Sequence, residues 1–175
     1  MGDTLEATLL VDGAVVECRL AETQSKENFE YQGRIATTVP KQAEASLTNA
    51  MDLDNIVALS HRGGCSFAEK SDRVGAAGAI ALILVNTDDE HIFPAAKDSA
   101  IPIIAVRSRD GQLLEQATEI TLVIETKPCT LKLLCDALKT SKVTQIDFSS
   151  CGLGSLAMEI LSDYVHHATG AIARL

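Results

Sequence analysis

His61 and Cys65 stand four positions apart in the string His61-Arg62-Gly63-Gly64-Cys65, a base and a thiol on one turn. A nucleophilic thiol needs its base within hydrogen-bonding reach and a third group to orient that base. Spacing along a turn guarantees neither, and no third group is evident, so Cys65 reads as a buried or redox-inert thiol. Asp88-Asp89-Glu90-His91 gathers hard oxygen ligands of the kind that hold calcium. Their spacing matches no EF-hand loop, and a solvated acidic loop explains them. His166-His167 would suit zinc, but a surface pair at a helix end is the simpler account. Nowhere does a Gly-x-Ser-x-Gly, His-Glu-x-x-His or Gly-Lys-Ser/Thr signature occur. No catalytic residue, metal site or cofactor is therefore expected.

Composition narrows the partners. A net charge of −9 repels phosphate backbones and anionic membranes, and no basic run offsets it. Aromatic residues make up 3% of the chain and Trp is absent, so a base-stacking surface is not expected. No apolar stretch approaches the length of a membrane span, and nucleic acid and membrane insertion are both excluded as expectations. Five cysteines, at 18, 65, 129, 135 and 151, show no zinc-like pairing and read as reduced. The N-terminus lacks a signal-peptide pattern, so the expected compartment is cytoplasmic if Met1 is native, and endomembrane or extracellular if the native chain begins elsewhere.

The elements that must position these residues centre on Ile56 to Asn86. Ile56 to Leu59 is a short apolar run of strand character, and Ala79 to Val85 is another. Between them Ser66 and Glu69 form a capping-box signature, and Gly78 is placed to end the helix they start. Strand, capped helix and strand make a βαβ unit. Upstream, Asp12-Gly13 between Leu5 to Val11 and Ala14 to Leu20 is a two-residue hairpin signal. A single strand is expected in Gly33 to Val39, and weak helical spacing runs through Lys41 to Asp54. Downstream, Ile101 to Val106 predicts a strand. A short helix follows at about 109 to 117 with Leu113 and Leu114 inward, and a last strand at Glu119 to Glu125.

Arg62-Gly63-Gly64-Cys65-x-Phe67, then Lys70, then Ala76-Ala77-Gly78-Ala79 and a strand closing on Val85-Asn86 resemble the protease-associated (PA) domain family. The order Ile-Pro, apolar strand, Ser, Asp-Gly, Leu in Ile101 to Leu114 also resembles that family. The resemblance covers about residues 1–126. It implies a β-rich open barrel or sandwich with two short helices, in which Arg62, Gly63, Gly64, Cys65, Phe67, Lys70, Gly78 and Asn86 are structural. In secreted relatives a cysteine equivalent to Cys65 joins a disulfide, for which Cys18 would be the partner here, although the cysteine reading above disfavours it. Family members are accessory modules that bind peptides or gate substrate access beside peptidases, ubiquitin ligases and sorting receptors.

Lys127-Pro128 marks an expected boundary, with residues 127–175 forming a second segment. Leu131, Leu134, Cys135 and Leu138 predict one apolar face of a helix. Val143-x-x-Ile146-x-Phe148-x-x-Cys151-x-Leu153, followed by helical Ser155 to Val165, resembles a leucine-rich repeat of the ribonuclease-inhibitor-like kind. Gly152-Leu153-Gly154-Ser155 falls where such a repeat turns from strand to helix. Because one repeat cannot bury both faces, the array is expected to continue past Leu175, or else to pack on the first domain or a partner. The fold class expected for the whole is α+β.

Both halves point to a non-catalytic scaffold that binds protein or peptide. The alternative is the accessory, substrate-gating or targeting portion of a larger peptidase or ubiquitin ligase. The expected contact surfaces are His61 with its turn to Cys65, the loop bearing Asp88, Asp89, Glu90 and His91, and the repeat face at Gln145, Asp147 and Ser149.

Overall fold

The computed structural model describes residues 3–21, 27–92, 94–96, 98–128, 130–139, 161, 162 and 164. The chain divides into two compact units, Leu5–Glu125 and the combination of Met1–Thr4 with Thr126–Leu175.

Two sheets build the larger unit. One is four-stranded and contains β1 (Asp3–Val11), β2 (Ala14–Val16), β4 (Phe29–Gly33) and β9 (Ile120–Pro128) in the order β2-β1-β9-β4. The other is five-stranded and contains β3 (Arg19–Leu20), β5 (Ile35–Thr37), β6 (Val57–His61), β7 (Ala81–Val85) and β8 (Ile103–Val106) in the order β3-β8-β7-β6-β5. Strands β5, β6, β7 and β8 run parallel, and β3 is antiparallel to β8.

The strands of the second sheet are apolar on both faces because both faces are covered. Val57, Leu59, Ile83, Val85, Ile104 and Val106 pack with Leu9, Leu122 and Ile124 of the first sheet. The alternate residues Ala58, Leu82, Leu84, Ile103 and Ala105 pack on the opposite side with Leu53 and Val74. Val74 comes from helix α1 (Phe67–Ala76), and Leu53 from a 3-10 turn at Ala50–Leu53. Each fully buried Leu or Ile contributes roughly 1.5–3 kcal/mol relative to exposure, so these two layers supply most of the driving force. Helix α2 (Ser108–Gln116) adds Leu114 to the layer between the sheets. Its Gly111 lies so close to β7 that a Cβ there would sit 2.4 Å from Val85 Cγ1. Gly111→Ala is expected to cost about 2 kcal/mol through overpacking, read as a lowered urea midpoint.

Several expectations hold at the level of single residues. The capping box is complete: Ser66 Oγ accepts from the Glu69 amide, and the Glu69 carboxylate accepts from the Ser66 amide. At the other end of α1, Gly78 adopts φ +89° and the Ala79 amide reaches back to Val74 O at 3.0 Å, a Schellman closure. Asp12 and Gly13 both have positive φ, and Val11 faces Ala14 across the hairpin.

Other expectations are corrected. The run Ala14 to Leu20 is not one strand, because Val16 pairs with Leu9 in the first sheet and Arg19 with Ala105 in the second. Gly33 to Val39 is likewise divided, with β4 ending at Gly33 and β5 beginning at Ile35. The Tyr31 hydroxyl donates to Arg34 O at 2.7 Å and lies 2.8 Å from where a Cβ on Gly33 would be, so the ring folds back over the break between the two strands. Lys41 to Asp54 is turns plus the one 3-10 turn, not a longer helix. Leu113 is 54% exposed while Leu114 is buried, so only Leu114 faces inward.

In the smaller unit, α3 (Thr130–Lys139) forms where the spacing predicts it. Cys135 is buried, but Leu134 is exposed, so the predicted apolar face is narrower than expected. Leu161, Ser162 and Tyr164 are helical, with Leu161 and Tyr164 buried. Residues 143–153, with Gln145, Asp147 and Ser149, lie outside the described residues, as do the Gly152 to Ser155 turn, Cys129, His166 and His167.

Candidate functional site

Four parallel strands, β5 to β8, deliver their carboxyl ends to one edge of the sheet. In open α/β sheets that edge is where ligands are held, because the loops leaving it are free to vary without disturbing the strands. Here it gathers the segment 38–44, the turn His61 to Cys65, the loop Asn86 to His91 and the start of α2 at Ser108.

Lys70 organises the first two. Its side chain is fully buried, and its ammonium donates to the carbonyls of Gln42 and Gly63, the latter at 2.6 Å. Burial pulls its pKa below the ordinary lysine value, opposed by Cys65 and by the Glu44 carboxylate. Arg73, one turn further along α1, donates to Ala43 O at 2.7 Å and approaches the Cys65 sulfur at 3.0 Å. Cys65 itself lies 3.4 Å from Ala43 O. Two cations and a thiol on one helix and its entry turn thus clasp the 42–43 backbone. The adjacent glycines leave room for it: a Cβ on Gly64, at φ +76°, would meet Glu44 Cβ at 2.6 Å.

Asn86 organises the third segment. It is 2% exposed and uses both ends of its amide. Its oxygen accepts from Arg62 Nη1 and from the Thr87 amide, both at 2.9 Å. Its nitrogen donates to Asp88 Oδ1 at 2.7 Å and to Glu90 O at 2.9 Å. Asp88 Oδ1 also accepts from the Glu90 amide, closing the turn on itself. Asp89 reaches across to accept from the Arg109 amide at 2.9 Å, capping α2, whose own N-cap residue Arg107 makes no side-chain cap bond.

His61 does not serve Cys65. Its Nε2 lies 2.9 Å from Glu115 Oε1, an oxygen that Lys41 Nζ also reaches at 2.6 Å. The bond from Lys41 and then that from His61 hold the Glu115 carboxyl below its usual value. His91 pairs with Glu17 at 3.1 Å, and Arg107 approaches the other oxygen of the same carboxylate at 3.5 Å. Asp88 and Asp89 are thus committed to backbone amides. Among the described residues no group of three or more His, Cys, Asp or Glu is arranged to hold a metal.

Cys18 and Cys65 are both free thiols, so the disulfide implied for secreted relatives is not formed. Cys18 points instead at Ala7 O, 3.6 Å away, and burial pushes its thiol up to about 11. Against the ordinary value of 9.0, that shift lowers the thiolate fraction near pH 8 roughly a hundredfold. Iodoacetamide labelling of Cys18 is expected to slow by about that factor in the folded chain relative to the urea-unfolded chain. Equal labelling in the two states would show the site to be open.

These motif positions, together with the two-sheet architecture, decide the family, because residues 10–114 match the model of the PA domain. This chain belongs to the PA domain family. The match lies inside the 1–126 span that the sequence suggested.

Among curated relatives, the PA region is 31% identical over 105 residues to ER degradation-enhancing alpha-mannosidase-like protein 3 of Xenopus laevis, covering 53% of this chain and 12% of that protein. It is 28% identical over 128 residues to aminopeptidase YwaD of Bacillus subtilis, covering 70% of this chain and 28% of that one. Among solved structures, the zinc aminopeptidase BSAP from Bacillus subtilis superposes with a TM-score of 0.60 at 26% identity, covering 72% of this chain and 31% of that chain. The chain therefore spans less than a third of each of these relatives.

Sequence reasoning found Arg62, Cys65, Lys70 and Asn86 but missed Arg73, Glu115, Glu17 and Arg107. Arg73 was legible, since it lies one helical turn beyond Lys70. The pairings that bring the other three to this edge span 54 or more positions, as in that of His61 with Glu115 over 54 residues, and local spacing carries no sign of them.

Proposed function

We propose that this PA domain is a non-catalytic module that binds a protein or peptide on the loops at the carboxyl ends of β5 to β8. The observation that carries the reading is the use to which the chemically capable side chains are put. Lys70, Arg73, Arg62, Asp88 and Asp89 fasten loops to one another, and Cys65 faces an arginine, not a base. A site so arranged holds a surface in shape. Thr87, Asp88, Asp89 and Glu90 are exposed on that surface, as are Arg62 and Gly64 of the turn, and the side chains of Asp88 and Asp89 are the ones that fasten the loop. Changing Thr87 and Glu90 together to Arg leaves the Asn86 network in place. Capture of proteins from cell extract on the immobilised chain is expected to fall at least about tenfold in that variant, the loss of a contact to a charged group. Unchanged capture contradicts the assignment of the surface. Residues 127–175 add, on the strength of their sequence pattern alone, a leucine-rich-repeat face at Gln145, Asp147 and Ser149.

A second reading is favoured by the coverage: 12% and 28% of the curated relatives, two of which carry mannosidase-like and aminopeptidase in their names. In that reading the chain is the accessory portion of a larger peptidase or ubiquitin ligase. The ER degradation-enhancing and signal peptide peptidase-like names among the relatives support an endomembrane compartment over a cytoplasmic one. An intact mass of the endogenous protein near 18.6 kDa would contradict the second reading, and a much larger mass would support it.

A further inference from the structure

The outer edge of β5 is half closed and half open. Thr38 donates its amide to Leu59 O on β6, and Thr37 offers its carbonyl outward to Asn49 Nδ2 at 2.8 Å. Backbone groups alternate sides along a strand, so Ala36 faces β6 while Ile35 and Thr37 face out. Asn49 mimics a neighbouring strand over the second half, taking Thr37 O and the Val39 amide through its two amide atoms. Among the described residues nothing of that kind covers Ile35. Beside it opens a cavity of about 360 Å³, lined by Arg34, Ile35, Asn49, Met51, Asp52 and Asp54 among others. Met51 is 94% exposed. The side chains of Arg34, Asp52 and Asp54 make no hydrogen bond or ion pair with the described residues. Two carboxylates against one guanidinium leave the lining net negative.

An open strand edge is a template for another strand, and proteins usually blunt it with a charge, a proline or a cover. Here the cover stops at Thr37. We propose that the Arg34–Ala36 edge of β5 docks an extended peptide by strand addition, with a Lys or Arg side chain of that peptide seated between Asp52 and Asp54. Main-chain bonds to Ile35 supply the register, and the carboxylate pair selects a basic residue over an acidic one. This surface lies at the opposite end of β5 from the loops assigned above, so the two can be occupied together.

The test uses the full chain and a phage-displayed random dodecapeptide library. The expected consensus is one Lys or Arg flanked by β-branched residues. Ile35→Pro removes an outward amide without touching the ladder to β6 and is expected to abolish binding of the selected peptides. Asp52→Asn with Asp54→Asn keeps every side-chain volume, so unchanged thermal unfolding with binding weakened roughly tenfold or more identifies the charge contact. Selection of acidic peptides, selection of peptides indifferent to both variants, or no enrichment at all overturns the proposal. So does a wild-type dimer in sedimentation that Ile35→Pro dissociates, since a second copy of the chain would then occupy the edge.

Discussion

Lys70→Met is expected to lose about 3 kcal/mol of stability, because Gln42 O and Gly63 O each forfeit a charge-assisted bond in a site that water does not reach. Methionine retains most of the stem's packing, so the loss reports on the ammonium and not on a cavity. The urea midpoint should fall with an unchanged m-value, since the surface exposed on unfolding is the same. A change below about 0.5 kcal/mol, the level of an ordinary surface substitution, would mean that the buried ammonium contributes no more than it cost to desolvate. Lys70→Arg is expected not to restore the wild-type value. A planar fork presents its donors in a fixed geometry, whereas an ammonium on a flexible stem can satisfy two converging carbonyls.

Asn86→Ala carries the second large effect. It deletes four hydrogen bonds at once, to Arg62, the Thr87 amide, Asp88 and Glu90 O. Two of those partners, the Thr87 amide and Glu90 O, are backbone groups of the following turn. A loss of about 3 kcal/mol in chemical denaturation is expected, along with faster amide exchange at Thr87 and Glu90. Asn86→Asp separates the contributions further. It keeps an acceptor for Arg62 and Thr87 but sets a second carboxylate against Asp88 Oδ1. Like charges raise the pKa of one member of such a pair, so the folded state holds its proton where the unfolded state has released it. The penalty is therefore full at pH 7 and shrinks as the pH falls toward the ordinary carboxylate range. An Asn86→Asp chain equally stable at pH 7 and pH 5 would show that the two groups do not meet.

The parts of the fold written into the sequence are those fixed by neighbours. Ser66 and Glu69 satisfy each other across three positions, Gly78 supplies a positive φ that ends α1, and Asp12-Gly13 makes a turn whose two positive φ values match strand twist. The apolar runs of β6 and β7 are continuous because the sheet is covered on both sides, which is why their strand character survived without alternation. What failed was the sharing of one apolar run between two sheets. Nothing in Ala14 to Leu20 or Gly33 to Val39 announces that Arg19 will pair with Ala105, or that Tyr31 will bend back over Gly33 to reach Arg34 O. Those choices are settled by contacts distant in sequence. The same holds for the candidate site. Lys70 and Asn86 were visible as motif positions, yet the partners that give them their roles lie 28 residues upstream at Gln42 and 24 residues upstream at Arg62. The acidic loop is exposed, as its composition suggests, but Asp89 also caps a helix that begins 19 residues later, a role its composition does not announce.

The role proposed for the chain is to bind peptide without transforming it. Mass spectrometry of peptides retained on the immobilised chain, before and after prolonged incubation, tests it most directly. Intact masses with wild type and with Cys65→Ser alike are the predicted result. New fragments with wild type that disappear with Cys65→Ser would contradict it, and would make the Cys65 turn a reaction centre.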